Sequence, residues 1–203
     1  MSHSFAQPQL VLASASPRRQ QLLQESGVSF VVIPSNIEET LQPDESPEAY
    51  ALRVAREKAQ DVAQRCTARW ILGADTIVEV DGQVLGKPQN VEDGFRMLRL
   101  LSGRKHYVMT AFVILDSAGQ VQTQQVVTSS VTFKALSDLQ IHNYLATEEP
   151  FDKAGAYAVQ GAGAMFVEHV EGSYTNVVGL PLEEVLNALH SVGALATMKE
   201  SAE

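Results

Sequence analysis

The stretch Gln9-Leu10-Val11-Leu12-Ala13-Ser14-Ala15-Ser16-Pro17-Arg18-Arg19-Gln20-Gln21-Leu22-Leu23 reads as a strand passed directly to a helix, which marks an α/β chain. Gln9 to Ala13 is short and apolar. Ser16 suits an N-cap, since its hydroxyl can accept a first-turn N–H. Pro17 suits the first helical position, where a missing N–H is no loss. Gly27 ends the helix after about Ser26. A helix start offers unpaired N–H groups and a partial positive charge, which favour an anion. Ser14, Ser16, Arg18 and Arg19 add two hydroxyls and two guanidinium forks, a strong donor set for phosphate oxygens. The run is not a P-loop, because it lacks the glycines and the Gly-Lys-Ser/Thr that wrap a phosphate chain. The same residues also suit a plain strand–helix junction with solvated arginines, so the turn alone leaves both readings open.

Outward from this turn, strands and helices interleave without regular βα alternation. Phe30 to Ile33 is a short strand. Glu38 and Glu39 lie in a loop leading to Ser46-Pro47, a second cap pair, which opens a helix to about Cys66. Trp70 to Val80 is apolar and β-branched, Asp81-Gly82 is a hairpin turn, and Val84-Leu85 starts the return strand. Val91 to Leu101 has helical spacing. His106 to Leu115 and Val121 to Phe133 read as two long strands. Ser137 caps a helix to Ala146. Gly155 to Gly163 reads as a glycine-broken loop and strand, Met165 to Val170 as another strand, and Leu182 to about Val192 as the last helix. The expected architecture is a mixed, elongated sheet flanked by helices, split into two lobes around a cleft. Residues 1–203 form one domain in this reading, with 194–203 a frayed tail.

Bulk properties narrow the function. The 203 residues are 45% apolar and carry a formal net charge of −9, the wrong sign for a general nucleic-acid binder. An anionic small substrate would be repelled at long range, so it needs a local cluster of cations, a metal ion, or both. Cys66 is the single cysteine, which excludes an internal disulfide and fits a reducing compartment. The first residues show no basic segment followed by an apolar one, and no apolar run approaches the roughly 20 residues that span a bilayer. A soluble cytoplasmic protein with no membrane partner is expected.

Asp75 is the sharpest anomaly. It interrupts Ile71-Leu72-Gly73-Ala74-Asp75-Thr76-Ile77-Val78, where an ionised carboxylate costs several kcal/mol unless it is paired or bound to a cation. A solvated strand end or a structural ion pair would satisfy it as well as a functional role would. Pro88 holds Lys87 in extended backbone, and Lys58 lies in a helix that could merely be solvated. Asp152-Lys153-Ala154-Gly155 has the character of a rigid loop, and Gln160 could read a base edge or cap a strand. His3, His106, His142, His169 and His190 show no i, i+4 pair, so a zinc site is not expected. Hard oxygen donors from Asp and Glu favour Mg²⁺ or Mn²⁺.

Together these pieces resemble the Maf family of nucleoside triphosphate pyrophosphatases. The matching runs are Leu12–Arg19, Glu38-Glu39, Ala55-Arg56-Glu57-Lys58-Ala59, Gly73-Ala74-Asp75-Thr76, Gly86-Lys87-Pro88, Leu101-Ser102-Gly103, Asp152-Lys153-Ala154-Gly155-Ala156-Tyr157 with Gln160-Gly161, and Gly179-Leu180-Pro181. They follow the family order along nearly the whole chain. The resemblance implies a fold related to the inosine triphosphate pyrophosphatases (Maf/Ham1), a homodimer, and metal-dependent cleavage of a nucleoside triphosphate to monophosphate and pyrophosphate. The branch acting on dTTP and UTP carries Arg, Thr and Gln at three selectivity positions, matched by Arg18, Thr76 and Gln160. The sibling branch acting on 7-methyl-GTP carries Trp, Gln and Glu there and lacks the Asp-Lys-Ala-Gly-Ala-Tyr run. Uracil and thymine present N3–H between two carbonyls, and a Gln amide can pair with such an edge.

The expected site therefore combines Ser14, Arg18, Arg19, Lys58, Thr76, Lys87, Lys153 and Gln160 around the substrate, with a divalent cation held by Glu39 and Asp75. Asp75 resembles the family's proton acceptor, and a metal-ligand role for it is the rival. Two other classes remain: a nucleotide-sensing regulator of septum formation with little turnover, and a nucleotidyltransferase, whose glycine-rich turn is absent.

Overall fold

The computed structural model describes residues 9–195. Residues 196–203, most of the tail expected to fray, lie outside the described residues, as does the start of the chain. The elements in order are β1 (Leu10–Leu12), α1 (Pro17–Glu25), β2 (Val31–Val32), α2 (Pro47–Ala63), β3 (Trp70–Val80), β4 (Gln83–Leu85) and α3 (Val91–Leu101). They continue with β5 (Lys105–Asp116), β6 (Val121–Phe133) and α4 (Asp138–Leu145). Three short 3-10 turns follow between Glu149 and Phe166, then β7 (Val167–Glu171), α5 (Tyr174–Val178) and α6 (Leu182–Ser191).

The seven strands form one mixed sheet in the order β2-β1-β3-β5-β6-β7, with β4 paired to β3 off that path. β2, β1 and β3 run parallel; the remaining pairs are antiparallel. Caps set the helix starts. Ser16, Ser46, Asn90 and Ser137 each accept a first-turn N–H, and Ser137 with Gln140 makes a reciprocal capping box. Asp81 and Gly82 both adopt positive φ, 53° and 79°, which the tight β3–β4 hairpin demands.

Side chains alternate across β3, and both of its faces are covered. Ile71 and Ile77 meet Ala51, Val54, Ala55, Ala59 and Val62 of α2. Leu72 and Ala74 join Leu23 of α1 and Val185 and Leu189 of α6 on the other face. A second core gathers at the far end of the sheet from Val78 and Val80, Met97 and Leu98 of α3, Phe133, Tyr144 and Phe166. β3 spans both cores. β1 accompanies β3 only over Trp70–Leu72, and β4 only over Val78–Val80. Between them, among the described residues, Gly73–Ile77 has no strand along that edge.

The sheet flanked by helices forms as expected, and three local expectations are corrected. Gly155 to Gly163 forms no strand: it is a chain of 3-10 turns with positive φ at Gly155, Ala156 and Gly161. α2 stops at Ala63, so Cys66 follows the helix rather than lying within it. α5 is an element the sequence pattern does not mark; Ser173 caps it through Asn176 N–H, and five residues are too few to show a period. Among the described residues, no helix is long and apolar enough to cross a membrane.

Candidate active site

A cleft of about 450 Å³ opens on the unaccompanied edge of β3. Its walls come from the β1–α1 turn, the Glu39 loop, Lys58 of α2, Gly86-Lys87 after β4, and the turns from Asp152 to Gln160. Ser14, Arg18, Arg19, Glu39, Lys58, Asp75, Thr76, Lys87, Lys153 and Gln160 all line it, so the fold brings the ten residues of the expected site to one cavity. Five cations face the acids Glu39, Asp75 and Asp152, a local positive excess inside a chain of charge −9.

At the cleft floor, Lys58 Nζ lies 2.7 Å from Asp75 Oδ1 and 2.7 Å from Glu39 Oε1. One ammonium grips both acids. The alternation along β3 turns Asp75 toward α2, two residues after Gly73, whose missing side chain admits the α2 backbone. Asp75 is 4% exposed, and its burial raises the carboxyl above the ordinary aspartate value, against the opposing pull of Lys58. Burial also opposes ionisation of Glu39, but Lys58 and Lys87 outweigh it and hold that carboxyl below its usual value. The two neighbouring acids are therefore pushed in opposite directions. Tyr50 hydroxyl donates to the Glu39 carbonyl at 3.2 Å and Arg53 to the Thr40 carbonyl at 2.9 Å, which anchors the loop that carries Glu39.

Arg19 is placed differently from what a simple phosphate fork requires. Its guanidinium is buried and donates to the carbonyls of Gly179 (2.7 Å) and Ala74 (2.9 Å) and to the hydroxyls of Ser14 (3.1 Å) and Thr76 (2.9 Å). Four of its five N–H groups are thus held by protein. Ala74 sits on the edge of β3 that lacks a strand, so Arg19 satisfies a carbonyl that a sheet neighbour would otherwise take. Thr76, one step along β3 from Asp75, also shares a hydrogen bond with Thr110 at 2.9 Å. Arg19 and Thr76 thereby tie the β1–α1 turn to the sheet and to Gly179.

Arg18 remains partly exposed and reaches across the cleft to Asp152 at 3.3 Å. Lys153 donates to the same carboxylate and to the Glu149 carbonyl at 2.6 Å. Burial opposes ionisation of Asp152, but Lys153 and Arg18 hold its carboxyl below the ordinary range. The sequence pointed to the Asp152–Gly155 loop without assigning Asp152 a contact, since a pair separated by 134 residues leaves no local signal. Lys87 and Gln160 are exposed at the rim.

Glu39 and Asp75 are the side chains here that could hold a divalent cation. Glu39 and Asp75 are hard oxygen donors converging on one point now neutralised by Lys58. Among the described residues, no group of three or more metal-ligating side chains occurs. Two carboxylates alone match a cation such as Mg²⁺, which takes its remaining ligands from phosphate and water.

A family model described as Maf-like protein matches residues 9–192. The dTTP/UTP pyrophosphatase of Geobacter sp. (strain M21) is 50% identical over 186 residues, covering 92% of this chain and 96% of that protein. The dTTP/UTP pyrophosphatase of Geotalea uraniireducens (strain Rf4) is 47% identical over 190 residues, covering 94% and 98%. Among solved structures, the nucleoside-triphosphatase / dITP/XTP pyrophosphatase from Mycobacterium abscessus shares 15% identity, with a TM-score of 0.42 over 93% of this chain and 98% of that one.

Proposed function

Because this chain belongs to the Maf family, we propose that it hydrolyses dTTP and UTP to the monophosphate and pyrophosphate. The observation that carries this reading is the cleft floor, where one ammonium holds a raised and a lowered carboxyl, with Arg18, Arg19, Lys87 and Lys153 on the surrounding walls. The triphosphate lies along the Ser14–Arg18 turn, with Arg18, Lys87 and Lys153 offsetting its charge. Phosphate displaces Asp152 from Arg18 and Lys153, replacing one anion by another. Asp75 takes the proton of a water whose oxygen bonds to the α-phosphorus. The bond from that phosphorus to the bridging oxygen breaks, and pyrophosphate leaves. A raised pKa makes Asp75 a stronger base, and Lys58, at 2.7 Å, opposes the rise and favours its charged form. A divalent cation held by Glu39 and Asp75 would supply charge neutralisation on the phosphates. Gln160 reads N3–H and one flanking carbonyl of the base.

The test is pyrophosphate release by purified protein across dTTP, UTP, dCTP, dITP and 7-methyl-GTP. Tight binding without release would favour a nucleotide sensor, and preference for 7-methyl-GTP would move the chain to the sibling branch. Chelation with EDTA is expected to abolish turnover, and Mg²⁺ or Mn²⁺ to restore it; full activity in EDTA would remove the metal. Gln160→Glu is expected to lower kcat/KM for dTTP and UTP by about tenfold or more, since a carboxylate cannot donate to a base carbonyl. Unchanged relative rates across the nucleotides would count against base reading by Gln160. We read the protein as cytoplasmic, supported by its free Cys66, and as a homodimer, supported by the family resemblance alone.

A further inference from the structure

Glu149 has no role in the chemistry above, yet both oxygens of its carboxylate are engaged. Oε1 accepts from the Tyr144 hydroxyl at 2.9 Å and from Gly163 N–H at 3.0 Å. Oε2 accepts from Ala162 N–H at 3.1 Å. The Tyr144 oxygen in turn accepts from Ala158 N–H at 3.3 Å. Three backbone N–H groups, two residues before Gln160 and two and three residues after it, therefore end on one Tyr–Glu pair. The turn also packs against that pair. A Cβ on Gly161 would lie 2.5 Å from Glu149 Oε2, and Gly161 has φ +79°. A Cβ on Gly163 would lie 2.8 Å from the Tyr144 oxygen. Only glycine fits this path. The Tyr144 ring is buried edge-on against Phe166, with centroids 4.9 Å apart, so the anchor is fixed in the second core. No side-chain hydrogen bond among the described residues holds Gln160 itself, so its backbone sets where its amide stands.

We propose that Glu149, backed by Tyr144, is a positioning residue that fixes Gln160 at the cleft wall and so sets the preference for bases with an N3–H. This rests on the reading of the chain as a dTTP/UTP pyrophosphatase. Three anchoring hydrogen bonds depend on the Glu149 carboxylate, and none of them touches the reacting phosphates.

The experiment compares full-length wild type, Glu149→Ala, Tyr144→Phe, Gln160→Ala and the Glu149→Ala/Gln160→Ala double variant on dTTP and dCTP. Cytosine lacks the N3–H. Hydrogen exchange at the Ala162 and Gly163 amides is measured in parallel on the protein without nucleotide. Glu149→Ala is expected to cut the preference for dTTP over dCTP about tenfold, through KM rather than kcat, and the double variant to fall no further than Gln160→Ala. The two amides should exchange at least tenfold faster. Tyr144→Phe keeps the ring packing and should shift the preference in the same direction by less, and it carries the test if Glu149→Ala does not fold. Equal losses on both nucleotides, additive effects with Gln160→Ala, or unchanged exchange would overturn the proposal. A wild type without preference for dTTP over dCTP overturns the dTTP/UTP reading instead. A wild type with that preference, retained in the variants, overturns this inference alone.

Discussion

Asp75→Asn is expected to lose on the order of 10³-fold in turnover of dTTP while its thermal midpoint at pH 8 stays level or rises. The loss follows from removing the one strongly buried carboxylate at the cleft floor, since an amide cannot accept the proton of the attacking water. The stability follows from the same burial. Asp75 is held by Lys58, yet desolvation keeps its carboxyl above the ordinary value, so ionising it opposes folding at neutral pH. Asn removes that cost, and Lys58 keeps Glu39 at 2.7 Å. The sign can be checked by titration. A raised folded pKa means the folded wild type binds the extra proton first as pH falls, so its stability gains on the variant as pH falls through the folded value, and the gain levels off below the ordinary aspartate value. Near wild-type hydrolysis by the variant would overturn the assignment of Asp75 as base. A clear drop in midpoint would make Asp75 a structural partner of Lys58.

Gly73→Ala is expected to cost about 3 kcal/mol, or roughly 6–12 °C of thermal midpoint for a chain of this size. The added Cβ would lie 2.3 Å from the Ala55 carbonyl oxygen and 2.8 Å from the Ala59 Cβ. The nearest clash is with helix backbone, so no side-chain rotation relieves it, and α2 must move off the sheet. Lys58 sits between those two alanines. The displaced helix carries its ammonium away from Asp75, so turnover of the folded protein should fall as well. An unchanged midpoint would mean that α2 shifts freely on β3, and the geometry of the Lys58 bridge would lose its basis.

These two neighbours on β3 show what the sequence discloses. Asp75 stood out because an acid in an apolar strand is locally improbable, and Gly73 belonged to the same run. The edges of β3, α3 and β6 match the expectation because turn and cap residues mark them: Asp81-Gly82 with positive φ, Asn90 as cap, Gly119 in the β5–β6 turn. Each signal is confined to a few residues. The segment from Glu149 to Phe166 failed for the opposite reason. Its path depends on Tyr144, Glu149 and Val78, and Ala156 is held at φ 61°, a conformation its own side chain disfavours. No period or propensity encodes it. That the expected residues line one cleft is a matter of their places in the fold, and the division of contacts among them is not legible in the sequence. Arg18 and Arg19 are adjacent and chemically alike, and only tertiary contacts make one a fork paired across the cleft with Asp152 and the other a brace on the open edge of the sheet.

The interrupted pairing along Gly73–Ile77 bears on solubility. Unpaired strand borders recruit foreign strands and seed aggregates. Here the bare border is five residues long, hemmed at one end by β1 and at the other by β4, with a guanidinium plugging one of its carbonyls. An intruding strand would have to thread a blind slot lined with charge. The molecule can thus keep main-chain groups within reach of small ligands in mid-sheet without offering a template for fibrils.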